Sequence, residues 1–538
     1  MRQRWQYSTN AERFAARVLL HMTDATLPPL IQQMLLPDFY PHPVADPIQL
    51  IQTHISYVFL TGEFAYKVKK PLDFGFLNYT TLEKREFYCQ AELRLNQRGA
   101  AELYLDVLAI SETDGTFELG GRGQPVEYVL QMRQFPQETL LPELLDRGEL
   151  TPALIRQLAQ RIARFHAQLD TSDYIREFGS VANIRAAFDE NYEQTERYIG
   201  GPQTREQWEA TRTATDRFFA DRADLLHRRV RDNKIRECHG DLHLNNICYW
   251  NNRFSLFDCI EFNEPFRFVD VMYDIAYIVM DLQVRGRSGL SALFVNEYIE
   301  QTGDYEGLQV LPLYVSRQSY VRAKVTSFLL DDPNVSADKR AEAEQTAAQY
   351  YRLACECLQP RTGRLFLMSG LSGSGKSTVA RAIAQKFDAV HIRSDAVRKH
   401  LAGIPLQERG SEGDYGSGIY TPEMTAKTYD RLLELGILLA EEGYPAILDA
   451  KYDRQALRQT AIAAAREHNI PLKIVSCEAP IETIRTWLKA RQGDIADATV
   501  DILERQIEAF EPLSEAEKAS AVVIRTDGDM TAQLEKLS

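Results

Sequence analysis

A chain of 538 residues is too long for one ordinary core and points to two to four domains. Its composition, 44% hydrophobic and 26% charged, is that of a globular protein, and a net charge of −14 argues against a general grip on nucleic acid. Seven scattered cysteines give no disulfide framework, the first residues lack the apolar stretch of a secretory signal, and no long apolar run offers a membrane span. These features predict a cytoplasmic, multidomain protein.

Along the chain, residues 48–70 alternate apolar and polar side chains around Gly62, which predicts a β-hairpin. A helical pattern follows over 80–98, and 103–110 and 126–135 read as further strands. From Thr151 to Gln168 the pattern is a capped amphipathic helix, and most of 180–230 and 266–330 also reads as helix. A β-rich front lobe (about 45–135) and a helical back lobe (about 136–358) predict a two-lobed α+β unit. The alanine-rich helix 336–357 ends at the breaker "QPRTG" (359–363), the expected linker between domains 1–358 and 364–538. Beyond it, short apolar strands alternate with helices, the pattern of an α/β domain with a parallel sheet.

The stretch "CHGDLHLNNICYW" (238–250) allows two readings. Zinc would draw on Cys238, His239, His243 and Cys248, but they form no C-x-x-C pair, and Asp241 and Asn246 would be idle. A phosphotransfer loop uses nearly everything, because His239, Asp241 and Asn246 fit H-x-D-x-x-x-x-N. Asp241 would accept the proton of an acceptor hydroxyl, and Asn246 would ligate Mg²⁺. Asp258, at the end of the next apolar strand, would complete the metal site.

A lysine must also meet the phosphates. "FAYKVKK" offers Lys67 and Lys69 on one strand face, with Lys67 preferred. Their helix partner would be Glu92 ahead of Glu86. Residues 129–135 would be the strand leading into an adenine-binding hinge. At "HGDLHLNN" and "FDCIEF" the chain resembles the aminoglycoside phosphotransferase/choline-kinase family over roughly 45–330. That resemblance implies a bilobal, protein-kinase-like fold, ATP and Mg²⁺, and structural roles for Asp270 and Asp274 in "DVMYDIA".

The second motif is "GLSGSGKST" (370–378), which matches G-x-x-x-x-G-K-[ST]. Backbone N–H groups of Gly370, Ser372, Gly373, Ser374, Gly375 and Thr378 would close around phosphate oxygens, with the following helix N-terminus adding positive potential. Lys376 would reach the β/γ-phosphates and Ser377 would ligate Mg²⁺. Asp449 would orient the metal. Asp395 would accept a proton and Arg398 would hold an anionic group of the substrate, while Arg485 and Arg491 would close over the phosphates. Residues 363–538 resemble the gluconate-kinase-like and zeta-toxin-like branch of P-loop kinases, and the order of modules resembles bacterial aminoglycoside phosphotransferase/ATP-binding fusions.

The sequence therefore predicts two kinase-like modules that transfer the ATP γ-phosphate to hydroxyls of small molecules, of the sugar, amino-sugar or amino-alcohol class. The rival readings make the P-loop module a nucleotide-dependent regulator or a polynucleotide kinase. Neither acceptor nor oligomeric state is legible.

Overall fold

The computed structural model describes residues 27–333, 335–408, 418–490 and 500–537. Contacts divide the chain into two units, and the division is not a single cut. One unit holds residues up to 151, 164–286 and 311–358; the other holds 152–163, 287–310 and 359–538. The second unit thus takes two stretches that lie upstream of the 359–363 breaker.

In the first unit six antiparallel strands form a sheet: β1 (Gln49–Gln52), β2 (Ser56–Leu60), β3 (Phe64–Lys69), β4 (Tyr104–Thr113), β5 (Thr116–Leu119) and β6 (Pro125–Arg133). Their order is β1-β2-β3-β6-β4-β5. The expected hairpin is therefore three strands: Gly62 turns β2 into β3 at a φ of 101°, and a second turn over 53–55 separates β1. The strand period of two sorts β3 by face. Tyr66 and Val68 join the core with Phe59, Ile110 and Val129, while Lys67 and Lys69 share the opposite face. In register, Lys67 lies between Val58 on β2 and Leu130 on β6.

Helix α1 (Leu82–Ala100) starts at Thr81, whose hydroxyl accepts the Lys84 N–H. Its buried stripe is unusual in holding Arg85, Glu92 and Asn96 beside Cys89, Leu95 and Ala100. Gly99 is needed on that face, since a Cβ there would lie 2.5 Å from the Leu256 carbonyl oxygen.

The other long helices up to the breaker are α2 (Pro152–Gln168), α3 (Val181–Thr195), α4 (Arg205–Asp221), α5 (Ala223–Arg231), α6 (Val271–Val284), α7 (Ser288–Thr302), α8 (Leu311–Ser327) and α9 (Ala337–Glu356). Two small antiparallel ribbons interrupt them: β7 (Ile235–Glu237) with β10 (Phe268–Asp270), and β8 (Ile247–Trp250) with β9 (Arg253–Leu256). The 266–330 stretch is thus not helical throughout, because β10 pairs with β7 before α6 begins. Helix α6 is buried on nearly all sides, so its sequence reads apolar with little face preference.

In the second unit five parallel strands, β11 (Arg364–Ser369), β12 (Val390–Arg393), β13 (Pro445–Asp449), β14 (Leu472–Glu478) and β15 (Ala521–Arg525), lie in the order β12-β13-β11-β14-β15. The helices here are α10 (Lys376–Phe387), α11 (Ser394–Ala402), α12 (Pro422–Glu441), α13 (Gln455–Glu467), α14 (Ile481–Ala490) and α15 (Val500–Ala509). Phe366, Met368, Ile447, Val475 and Ile524 from the strands meet Val379 and Ile383 of α10 in a buried core. Because both sheet faces are covered, the strands read as continuous apolar runs. Helix α7 belongs to this unit, and the Asn296 side chain accepts the His391 N–H at 2.7 Å and donates to the Ala389 carbonyl at 3.1 Å.

Candidate functional site

In the first unit the loop 239–246 is held from beneath by two carboxylates of α6. Asp274 accepts the N–H groups of His239 and Gly240, at 3.0 and 2.9 Å, and also contacts His166 Nε2 at 3.1 Å. Asp281 accepts the Leu244 N–H at 3.0 Å. Asp270, as expected, is structural: it pairs with Arg229 and accepts the Met272 N–H. The His239 ring contacts the Phe257 carbonyl at 2.9 Å and so ties the loop to the segment carrying Asp258. Gly240 has a φ of 85°, and a Cβ there would lie 2.7 Å from the Phe266 carbonyl oxygen.

This framework brings Asp241 and Asn246 together. The Asn246 amide donates to the Asp241 carbonyl at 3.0 Å and to its carboxylate at 3.3 Å, and His243 Nε2 lies 3.3 Å from the same carboxylate. Burial alone would raise the Asp241 carboxyl, but His243 and Arg322 outweigh it and hold it down at about 2.

Lys67 separates itself from Lys69 by its partners. Its ammonium donates to Glu92 Oε1 at 2.7 Å and to Asp258 Oδ1 at 2.8 Å. Lys69 donates to the other Glu92 oxygen at 2.6 Å and to Glu261, which also accepts the Tyr79 hydroxyl. Glu92 is therefore shared by both lysines, whereas only Lys67 reaches the half-exposed Asp258. Glu86 instead lies within electrostatic range of Tyr128. Asn96, one turn after Glu92, accepts the Cys259 N–H at 2.9 Å and fixes the Asp258 loop. Sequence reading missed Glu261 and Tyr79; the polar residues in the buried stripe of α1 were the available signal for Glu92 and Asn96.

The cysteines are framework. Burial pushes the Cys238 thiol well up and the Cys248 thiol up to about 12, as expected of small core side chains. His166, Cys238 and Asp274 do come within 4.8 Å of one another, but Asp274 is already committed to the 239–240 backbone.

In the second unit the phosphate loop runs from β11 into α10. Gly370, Gly373 and Gly375 have φ values of 141°, 80° and 85°, conformations that favour glycine. A Cβ on Gly370 would lie 2.6 Å from the Cys477 carbonyl oxygen, and one on Gly375 would lie 2.9 Å from the Thr526 side chain. The Lys376 ammonium donates to the carbonyls of Gly370 and Leu371, at 3.0 and 2.8 Å, and burial lowers its pKa. Ser374 Oγ is buried with no hydrogen-bond partner. A cavity of about 400 Å³ opens here, lined by Gly373, Gly375, Lys376, Ser377 and Thr378 together with Arg381, Trp487 and Thr526.

Asp449, at the end of β13, is buried and contacts His391 Nε2 at 2.8 Å. Burial opposes its ionisation, but His391, Arg393 and Lys376 hold its carboxyl well below the ordinary range. Asp395 lies in the first turn of α11, within electrostatic range of Lys376. Arg398 is engaged elsewhere: it donates to the Ile419 carbonyl and the Thr425 hydroxyl, both at 3.1 Å, and lies over the Tyr420 ring. Arg485, on the side of α14 that faces α15, pairs with Glu482 and Glu504 on the surface and does not line this cavity. Arg381 takes the lining position instead, and Gln506 of α15 accepts the Ser372 N–H at 3.0 Å. Arg491 lies outside the described residues.

Residues 117–311 match the model of the phosphotransferase enzyme family, and residues 365–513 match that of an AAA domain. The chain therefore carries one segment similar to the phosphotransferase enzyme family and, after it, one similar to an AAA domain. Both domains together are shared with an uncharacterized protein of Mycobacterium tuberculosis, 29% identical over 465 residues that cover 86% of this chain and 90% of that one. Among solved structures, the phosphotransferase domain is similar to a choline/ethanolamine kinase family protein from Mesorhizobium loti, at 11% identity and a TM-score of 0.38, over 62% of this chain and 99% of that one. The second segment is similar to a gluconokinase from Sinorhizobium meliloti, at 20% identity and a TM-score of 0.24, over 33% and 94% of the two chains. No helix among the described residues is long and apolar enough to cross a membrane.

Proposed function

We propose that this chain is an ATP- and Mg²⁺-dependent phosphotransferase with two transfer sites, each acting on a hydroxyl of a small molecule of the sugar, amino-sugar or amino-alcohol class. The observation that carries the reading is the bridge made by Lys67 between Glu92 and Asp258, beside the Asp241–Asn246 contact. A lysine placed by a helix carboxylate is free to exchange Asp258 for phosphate oxygens when nucleotide arrives, and Asp258 is then released to a metal.

Asn246 and Asp258 would hold Mg²⁺ in the front site; Ser377, with Asp449 behind it, would do so in the rear one. The bound ion neutralises charge on the phosphate oxygens. In the front site Asp241 orients the acceptor hydroxyl and takes its proton. In the rear site the loop N–H groups and Lys376 hold the phosphates, and Asp395 takes the proton. We place the protein in the cytoplasm, a reading supported by seven free cysteines, and take 359–363 as the linker between the catalytic modules.

Labelled ATP and a panel of hydroxylated metabolites test this on the wild type and on Asp241→Asn and Lys376→Ala variants. Each substitution should remove a different transfer activity. A variant that keeps every activity shows that its module is not a working kinase.

A further inference from the structure

Helix α8 brings a guanidinium to the front site that the catalytic set does not use. Arg322 lies within electrostatic range of the Asp241 and Asp281 carboxylates and of Tyr277 and Tyr350. It makes no hydrogen bond or ion pair with any described residue, and its Nε is buried without a partner. One helical turn earlier on the same face, Gln318 is fully buried and its Oε1 is also unpartnered. Across the site, His243 contacts Asp241 through Nε2 and leaves a buried Nδ1 with no partner. Two buried polar atoms without partners among the described residues, on Arg322 and His243, thus belong to groups that act on the Asp241 carboxylate, and a third lies one turn away on α8.

Arg322 is partly exposed, so water reaches part of its guanidinium, but a buried Nε–H with no acceptor is costly, and such groups in folded proteins are nearly always satisfied by something. The nearby carboxylates explain why the charge is tolerated, but not why the guanidinium leaves its donors unused. Its fork geometry matches a carboxylate or a phosphate.

We infer that Arg322 is an acceptor-recognition residue, and that the hydroxyl compound phosphorylated in the front site carries an anionic group, a carboxylate or a phosphate, which Arg322 binds while Asp241 faces the reacting hydroxyl. This rests on the phosphotransferase reading above and narrows its acceptor class from sugars and amino compounds in general to acidic ones.

The test uses the full-length chain carrying Lys376→Ala, so that only the front site transfers. Mg-ATP turnover is measured with D-gluconate and D-glucose 6-phosphate, with neutral D-glucose, and with cationic D-glucosamine and choline. The acidic compounds should be phosphorylated in an Asp241-dependent way. Arg322→Met should raise their KM about ten- to a hundred-fold, with kcat and the KM for ATP little changed, and Arg322→Lys should restore much of the loss. Transfer only to neutral or cationic compounds, with a KM indifferent to Arg322→Met, overturns the inference and leaves the phosphotransferase reading intact. So does a fall in kcat at constant acceptor KM, which would make Arg322 a partner of Asp241 alone.

If none of these compounds is phosphorylated, sulfate binding by calorimetry decides. A sulfate site weakened by Arg322→Met and kept by Arg322→Lys supports the inference, and equal binding in all three proteins overturns it. In that case the phosphotransferase reading is judged separately, by whether Asp241→Asn changes ATP turnover. Thermal unfolding of Arg322→Met near the wild-type temperature distinguishes a recognition role from a structural one.

Discussion

The front site is built from side chains and the rear site from main chain. In the front, Lys67, Lys69, Glu92, Asp258 and Glu261 come from β3, α1 and the 258–261 loop, and each is held by another. In the rear, the donors for phosphate belong to one continuous loop, and its lysine rests on the carbonyls of that same loop. The difference teaches where each site stores its order. The front set stands only when three distant segments have docked, so a single lost carboxylate strands buried ammonium groups. The rear loop is braced by Thr526, Gln506 and the Lys451 carbonyl, none of which is its lysine.

That contrast is most easily broken at the reacting groups. Asp241→Asn should cut front-site kcat by about 10²–10⁴ while leaving rear-site turnover untouched, read by initial rates with each site's acceptor. Lys376→Ala should lower rear-site turnover by about 10²–10³, and its thermal unfolding should stay near that of the wild type, since the loop is braced by other residues. A large loss of stability in this variant would refute the main-chain account.

Glu92→Gln should behave in the opposite sense. It leaves two buried lysines short of a counter-ion, and urea unfolding should show a loss of about 3–5 kcal/mol in addition to lost activity. Its pH dependence sharpens the point. Burial favours the neutral acid, but Lys67 and Lys69 prevail and hold the Glu92 carboxyl below its ordinary 4.5. The stabilisation is therefore complete above that pH and is lost as pH falls through the lower folded value. Urea midpoints of wild type and Glu92→Gln should differ most near about pH 7 and draw together towards about pH 3. The smallest effect belongs to Arg485→Ala. Its exposed pairing with Glu482 and Glu504 predicts little change in the unfolding midpoint and no change in the KM for ATP. A marked rise in that KM would return Arg485 to the phosphates.

What could be read from sequence follows the same line. The loop from Gly370 to Thr378 is contiguous, so residue spacing alone encodes it, and the five parallel strands announce themselves as apolar runs between helices. His239, Asp241 and Asn246 are likewise local. The preference for Lys67 over Lys69 was slight, because they share a strand face and are separated by partners about 190 residues away, Asp258 for one and Glu261 for the other. The pairing of Arg485 with Glu482 and Glu504 was not legible, because a helix carries arginines on several faces and only its neighbours decide what each one meets. Arg322 left no trace at all: it stands 81 residues beyond Asp241, a distance that only the docking of α8 removes.

The amide of Asn296 does for β12 what a sixth strand would have done. It meets one N–H and one C=O on the outer edge of the parallel sheet, and it is supplied by a helix that the chain completes before β11 begins. A gene divided at the linker would therefore release a P-loop protein with a bare strand along its flank, open to pairing with other copies of itself. During synthesis the order is favourable, since the guard for that edge leaves the ribosome first. The second unit thus draws on a stretch that precedes residues 359–363, and a cut there should leave the downstream piece prone to aggregate.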